Sequence, residues 1–125
     1  MKLIRQILLI TILCLIVATG CTQQKDPTVT MLNDRFITTN KIISPGDPLP
    51  FKWMAEKGKS DLSSFTIRIN GDDWFGYPIT SIPTNIYSDS AFLEGPVTQG
   101  NYAFSFLVTD TDGKIGEKSV IITVE

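Results

Sequence analysis

One stretch of the chain alternates so regularly that it restricts the fold to β structure. In residues 100–113, written GNYAFSFLVTDTDG, an apolar or aromatic side chain falls on every second position, namely Tyr102, Phe104, Phe106 and Val108. A β-strand places all four on one face, and Leu107 is the one large apolar residue on the other. A turn sequence follows at residues 110–113, and a second β-rich run follows at residues 119–124. The pattern predicts a long hairpin that closes an antiparallel β domain.

The first 20 residues have the composition of a secretory signal. Lys2 and Arg5 precede an apolar run over residues 7–18, and the small residues Ala-Thr-Gly lead directly to Cys21. This order of positive, apolar and small residues is typical of a signal peptide. An uncleaved transmembrane helix is the alternative, but a run of 12 residues falls short of the roughly 20 that a span needs. A cleaved signal without lipid is the other alternative.

Small residues directly before a cysteine resemble the lipobox of bacterial lipoproteins. The resemblance implies cleavage before Cys21, a diacylglycerol on its thiol and acylation of its new amino group. Several acyl chains on one residue give stable membrane anchoring. Thr22, rather than Asp, at the next position implies delivery to the outer membrane or cell surface in a Gram-negative envelope. We expect a lipoprotein signal peptide over residues 1–20, a lipidated cysteine and short tether over 21–26, and a β domain over 27–125.

The residues that the chain lacks exclude several classes of chemistry. It has no His, and its two cysteines are Cys14, which leaves with the signal, and Cys21. The mature domain therefore has no thiol for a disulfide and none of the commonest zinc ligands or general bases. From Cys21 onward, nine Lys and Arg stand against thirteen Asp and Glu, a net charge of −4 without a basic cluster in the sequence. We predict no enzyme activity, no cofactor and no nucleic-acid partner.

Two further segments alternate with period two. One contains Leu49, Phe51, Trp53 and Ala55, and the other contains Phe65, Ile67 and Ile69. Weaker strands are expected at residues 27–32, 36–39, 41–43 and 91–93, and near Ile79. Pro48 and Pro50 predict an edge or strand-end position for the start of their strand. No segment longer than ten residues after Cys21 has helical periodicity, so the mature protein is predicted to be all-β.

Two motifs together resemble an immunoglobulin-like sandwich, such as those of PKD and fibronectin-like modules. They are Ser44-Pro45-Gly46-Asp47 before Leu49-x-Phe51-x-Trp53, and Gly100-x-Tyr102-x-Phe104 before Val108-x-Asp110-x-Asp112-Gly113. The resemblance implies that the Tyr102 hydroxyl bonds to backbone a few residues upstream, as in a tyrosine corner. It also places Trp53 and Phe104 where antibody domains have paired cysteines, so apolar packing has to replace that disulfide.

Asp110 and Asp112 are closely spaced, and clustered carboxylates are typical calcium ligands. Asp110 and Asp112 resemble the start of a calcium loop, but Gly113 comes too early and Lys114 falls at the third ligand position. A hairpin turn, in which Asp bonds to local backbone, is the favoured interpretation. The same choice between turn and metal applies to Asp72 and Asp73.

Trp74, Phe75 and Tyr77 are the candidate ligand-binding residues. Three aromatics beside glycines and Pro78 in a predicted loop suit either a binding platform or a cap over the end of the core. The first functional hypothesis is a lipid-anchored, non-catalytic binding or structural module whose partner is an envelope protein or a glycan. The alternative is a carbohydrate- or calcium-dependent module for nutrient capture that uses this aromatic loop.

Overall fold

A computed structural model of the protein describes residues 25–33, 35–74 and 80–125. These residues form nine strands and no helix. The strands are β1 (Thr28–Met31), β2 (Lys41–Ile43), β3 (Pro48–Glu56), β4 (Leu62–Ile69), β5 (Asp72–Asp73), β6 (Thr80–Ser81), β7 (Ile86–Glu94), β8 (Gly100–Asp110) and β9 (Ile115–Val124). The predicted all-β class is confirmed.

The strands form two sheets that pack face to face. The smaller sheet has the order β1-β3-β7, and the larger has the order β2-β9-β8-β4-β5, with β6 also paired to β4. All pairs are antiparallel except β2 and β9. The predicted closing hairpin is β8–β9, in which Gly100 pairs with Val124 and Thr109 with Ile115.

Aromatic rings from both sheets fill the space between them. Phe51 contacts Phe104 with ring centroids 5.6 Å apart, and Phe106 at 5.0 Å. Trp53 stacks on Phe65 at 5.0 Å and also contacts Phe106 at 5.5 Å. All five side chains are buried. Apolar packing therefore joins the sheets where a disulfide would, and the ring that meets Phe104 is that of Phe51.

The tyrosine corner is present as predicted. The Tyr102 hydroxyl donates a hydrogen bond to the carbonyl oxygen of Thr98 at 2.8 Å. The ring is half-buried and packs against the core. This bond ties the loop before β8 to the strand itself.

The two prolines of β3 lie where β3 has a neighbouring strand on one side only, that of β7. β3 is the central strand of its sheet, but β1 pairs only with its second half, from Trp53 to Glu56. Beside Pro50 the chain makes a single bond, from the Ile37 N–H to the Pro50 carbonyl at 2.8 Å. Because proline has no backbone N–H, it leaves no unpaired donor at this open side of the strand. Residues 36–39 were expected to be a strand, but they do not form one. The strand predicted over residues 91–93 is longer than expected and covers Ile86–Glu94.

Candidate functional site

Of the three candidate ligand-binding aromatics, the structure describes one, Trp74. Trp74 comes directly after β5, and its backbone N–H donates to the Ile67 carbonyl at 2.9 Å. Its side chain is half-buried and packs against the core. Phe75 and Tyr77 lie outside the described residues, as does Cys21. For Trp74, the hypothesis of a cap over the core is favoured over a fully exposed platform.

Trp74 also borders an open groove of about 440 Å³ at one end of the sandwich. Its other lining residues are Glu94, Gly95, Pro96 and Val97, from the loop that follows β7. Val97 is 69% exposed. Gly95 is held tightly, since its N–H donates to the Asp47 carbonyl at 3.0 Å and an added Cβ would lie 2.2 Å from that oxygen. Among the described residues, the groove therefore has a rigid wall, one aromatic side chain and one carboxylate.

Asp110 has the structure of a hairpin-turn residue. Its Oδ1 accepts the backbone N–H groups of Asp112 at 2.9 Å and Lys114 at 2.8 Å. Its own N–H donates to the Lys114 carbonyl at 2.9 Å, and Gly113 supplies the positive φ of 80°. This supports the turn interpretation.

The other aspartates that the structure describes do not gather around a common point. Asp112 is exposed and accepts a hydrogen bond from the Ser60 hydroxyl. Asp73 forms an ion pair with Arg68 at 2.9 Å, next to a turn in which Asn70 and Gly71 have positive φ. Over the part of the chain that the structure describes, no group of three or more Asp, Glu, His or Cys side chains could hold a metal ion.

A second surface was missed in the sequence. Phe92 of β7 is 75% exposed and contacts the ring of Phe36, with centroids 6.0 Å apart. The Lys52 Nζ lies 5.7 Å from the centroid of Phe36. A shallow groove of about 240 Å³, lined by residues 35–41 and Pro50, begins beside this pair. The only sequence signal was an aromatic residue at an outward position of a weak strand.

The chain enters the domain at the end opposite to the Trp74 groove. The Lys25 carbonyl accepts the Lys59 N–H at 3.0 Å, and Asp26 forms an ion pair with Lys114 at 3.6 Å. Thr28 pairs with Glu56 at the end of β3, whereas Glu94 pairs with Pro48 at its start. The nine residues of β3 separate the two ends by about 30 Å. Among residues 25–33, 35–74 and 80–125, no helix is long and apolar enough to cross a membrane.

Comparison with known proteins gives information on the fold. No family model and no curated protein matches the chain. Among solved structures, the CARDB domain of PF1109 from Pyrococcus furiosus is similar over 83% of this chain and 100% of its own, with a TM-score of 0.53 and 11% identity. Fibronectin(III)-like modules of Clostridium thermocellum CbhA match over 81% of this chain and 47% of theirs, with a TM-score of 0.51 and 17% identity. The fold is an immunoglobulin-like β-sandwich.

The same sandwich occurs as part of a larger enzyme chain. A family 123 glycoside hydrolase from Clostridium perfringens matches over 80% of this chain but only 27% of its own, with a TM-score of 0.54 and 14% identity. At such identities the likeness extends to the fold alone. It places this chain among domains of one architecture without assigning an activity.

Proposed function

We propose that this protein is a cell-envelope lipoprotein, anchored through acylated Cys21, whose immunoglobulin-like domain is a non-catalytic binding or structural module. The lipobox-like sequence before Cys21 supports the anchor. Immunoglobulin-like sandwiches commonly serve as modules in which function lies in surface sites. The absence of His from the chain, and of Cys from the domain, supports a role without catalysis.

The position of the chain entry is the observation that carries this proposal. Lys25 and Asp26 are held at the end of the sandwich formed by the loops after β3 and β8. The tether of five residues from Thr22 to Asp26 extends at most about 17 Å. An anchored Cys21 therefore keeps this end near the bilayer. The groove beside Trp74 then faces away from it, where a partner is accessible.

The groove itself favours one alternative function, a ligand-binding module for carbohydrate capture. Trp74 offers part of an indole face, and Glu94 a hydrogen-bond acceptor, in a concave site with a rigid wall. Replacing Trp74 with Ala and screening both proteins against a glycan array tests this function. Glycan binding that disappears in the variant supports nutrient capture. If the two proteins bind alike, the alternative is wrong.

Intact mass spectrometry of the protein extracted from native membranes tests the anchor. The expected mass is that of a chain beginning at Cys21 with added acyl groups. A Cys21→Ser variant is the control and is expected to lose the acyl mass and the membrane association together. A mature chain with a free Cys21 thiol, or a chain that retains residues 1–20, would contradict the lipoprotein proposal. Sucrose-gradient separation of the membranes then tests the expected outer-membrane location.

A further inference from the structure

The outer face of the three-stranded sheet has an aromatic pair at the half farther from the chain entry. Phe92 pairs in register with Pro50, and its ring is braced by that of Phe36. Most of the Phe92 surface is open to solvent. An exposed ring that is held by a neighbouring ring loses little side-chain entropy when a ligand packs on it. This pair is therefore a preformed aromatic contact, in which the two rings are tilted by 51° to each other.

The adjoining groove is held in shape by hydrogen bonds at both ends. The Ile37 N–H donates to the Pro50 carbonyl at 2.8 Å, and the Ile37 side chain is buried in the core. The Asn40 Oδ1 accepts the Ile121 N–H at 2.9 Å. Thr38 and Thr39 lie between these two fixed points and line the groove. The site thus combines a fixed backbone with hydroxyl and amide groups that suit a ligand rich in hydroxyls.

Three cations surround the same site. Arg35 and Lys41 line the groove, and Lys52 lies over Phe36; all three are exposed. Within the described residues none of them forms an ion pair, although Lys57, Arg68 and Lys114 all do. Three positive charges that have no ion-pair partner among the described residues lie together on a domain of net charge −4, and they create a local potential that favours an anionic ligand. Glu94, two residues beyond Phe92 on β7, is the acidic residue next to this surface along the strand.

We propose that this surface, formed by the Phe36–Phe92 pair and the groove over residues 35–41, binds an acidic polysaccharide that carries carboxylates, such as a polymer of uronic acids. The apolar C–H face of a sugar ring packs on Phe92, sugar hydroxyls bond in the groove, and carboxylates pair with the three cations. The proposal goes beyond the proposed function and does not depend on the lipid anchor. A membrane surface is disfavoured, since polybasic membrane sites use clusters of about 4–8 cations.

Binding of polygalacturonate oligomers to the full-length protein in non-ionic detergent tests this proposal. The matched control ligand is the same oligomer with its carboxylates methyl-esterified, which keeps the sugar rings and removes the charge. We expect calorimetry to detect binding of the acid form, weakened by salt, and at least about tenfold weaker binding of the ester. Equal affinity for both ligands, or no binding of the acid form, would overturn the proposal.

Variants locate the binding on this surface. The double change Lys41→Gln and Lys52→Gln, and separately Phe92→Ala, are each expected to weaken binding by about tenfold or more. Lys59→Gln removes one exposed charge at the other end of the domain and is expected to change the affinity by less than about twofold. Circular dichroism checks that each variant is folded.

Two results would place the interaction elsewhere. An equal loss in Lys59→Gln and in the double variant would indicate nonspecific charge attraction. A preference for phosphatidylglycerol over phosphatidylcholine vesicles that the double variant loses, without polysaccharide binding, would assign the surface to membrane contact. Either result contradicts the proposal, while the mass of the anchored protein would be unaffected.

Discussion

At the scale of single residues, Asp110 combines burial with hydrogen bonds to the turn between β8 and β9. It is 2% exposed, and one carboxylate oxygen accepts two backbone N–H groups of the turn. Oδ2 is also buried and has no hydrogen-bond partner among the described residues. A buried carboxylate is costly unless its bonds are strong. The two charge-assisted bonds therefore identify Asp110 as a residue that stabilises the turn between β8 and β9.

Replacing Asp110 tests this role against a calcium site. Asp110→Ala leaves both N–H groups without their acceptor and is expected to lower the free energy of unfolding by about 2 kcal/mol. Asp110→Asn keeps an acceptor oxygen and is expected to cost roughly 1 kcal/mol or less. Urea denaturation measures both, with Asp112→Ala as the exposed control.

The same denaturation in excess calcium separates the two interpretations. If Asp110 serves only the turn, calcium leaves the midpoint of the wild-type protein unchanged. A calcium-dependent stabilisation that Asp110→Asn abolishes would instead demonstrate a metal site, because a ligand that binds only the native state stabilises it.

At the scale of elements, β7 is an edge strand with features that disfavour pairing with a strand of another molecule. Strand alternation places Asp89 on the same face as Leu93, which is buried in the core. Asp89 accepts the Ser90 N–H at 2.8 Å and the Tyr87 hydroxyl at 3.1 Å. A charge on the inward face, together with an occupied N–H group on the edge, discourages pairing with another strand.

Removing this carboxylate is expected to promote self-association. Asp89→Ala frees the Ser90 N–H and leaves a nine-residue edge that ends in the exposed Phe92. Analytical ultracentrifugation should then detect dimers or larger species at concentrations where the wild-type protein stays monomeric. Glu56→Ala, which removes one exposed charge from the neighbouring central strand β3, is the matched control. Association of both variants to the same extent would attribute the effect to net charge instead.

At the scale of the whole molecule, the two ends of the sandwich have different neighbours. The chain enters beside Lys59, whereas Val97 lies at the opposite end, about 30 Å away along β3. If Cys21 is acylated, a fluorophore on Lys59→Cys in reconstituted vesicles is quenched strongly by a headgroup quencher. A fluorophore on Val97→Cys is quenched much less. Equal quenching would show that the domain lies on its side or is not anchored through its N-terminal end.

Much of the architecture was predictable from the sequence because burial in a sandwich follows strand alternation. The period-two segments containing Phe51, Phe65 and Phe104 became β3, β4 and β8, and each contributes its apolar face to the core. The turn at residues 110–113 was predictable from its local sequence, and the Tyr102–Thr98 bond was implied by the resemblance to immunoglobulin-like sandwiches. Such bonds form between residues only a few positions apart, so short motifs contain the information.

Tertiary structure alone decided what lies on the surface. Phe36 and Phe92 are 56 positions apart, and they come together because the chain passes from one sheet to the other between β1 and β2. The same crossing places Arg35 and Lys41 beside the groove. An exposed side chain leaves no periodic pattern in the sequence, since no neighbouring layer selects its size or polarity. The sequence by itself therefore determined the strongly alternating strands and the core that they form, and the lipoprotein signal stays a prediction. The pairing of distant segments determined which surface groups act together.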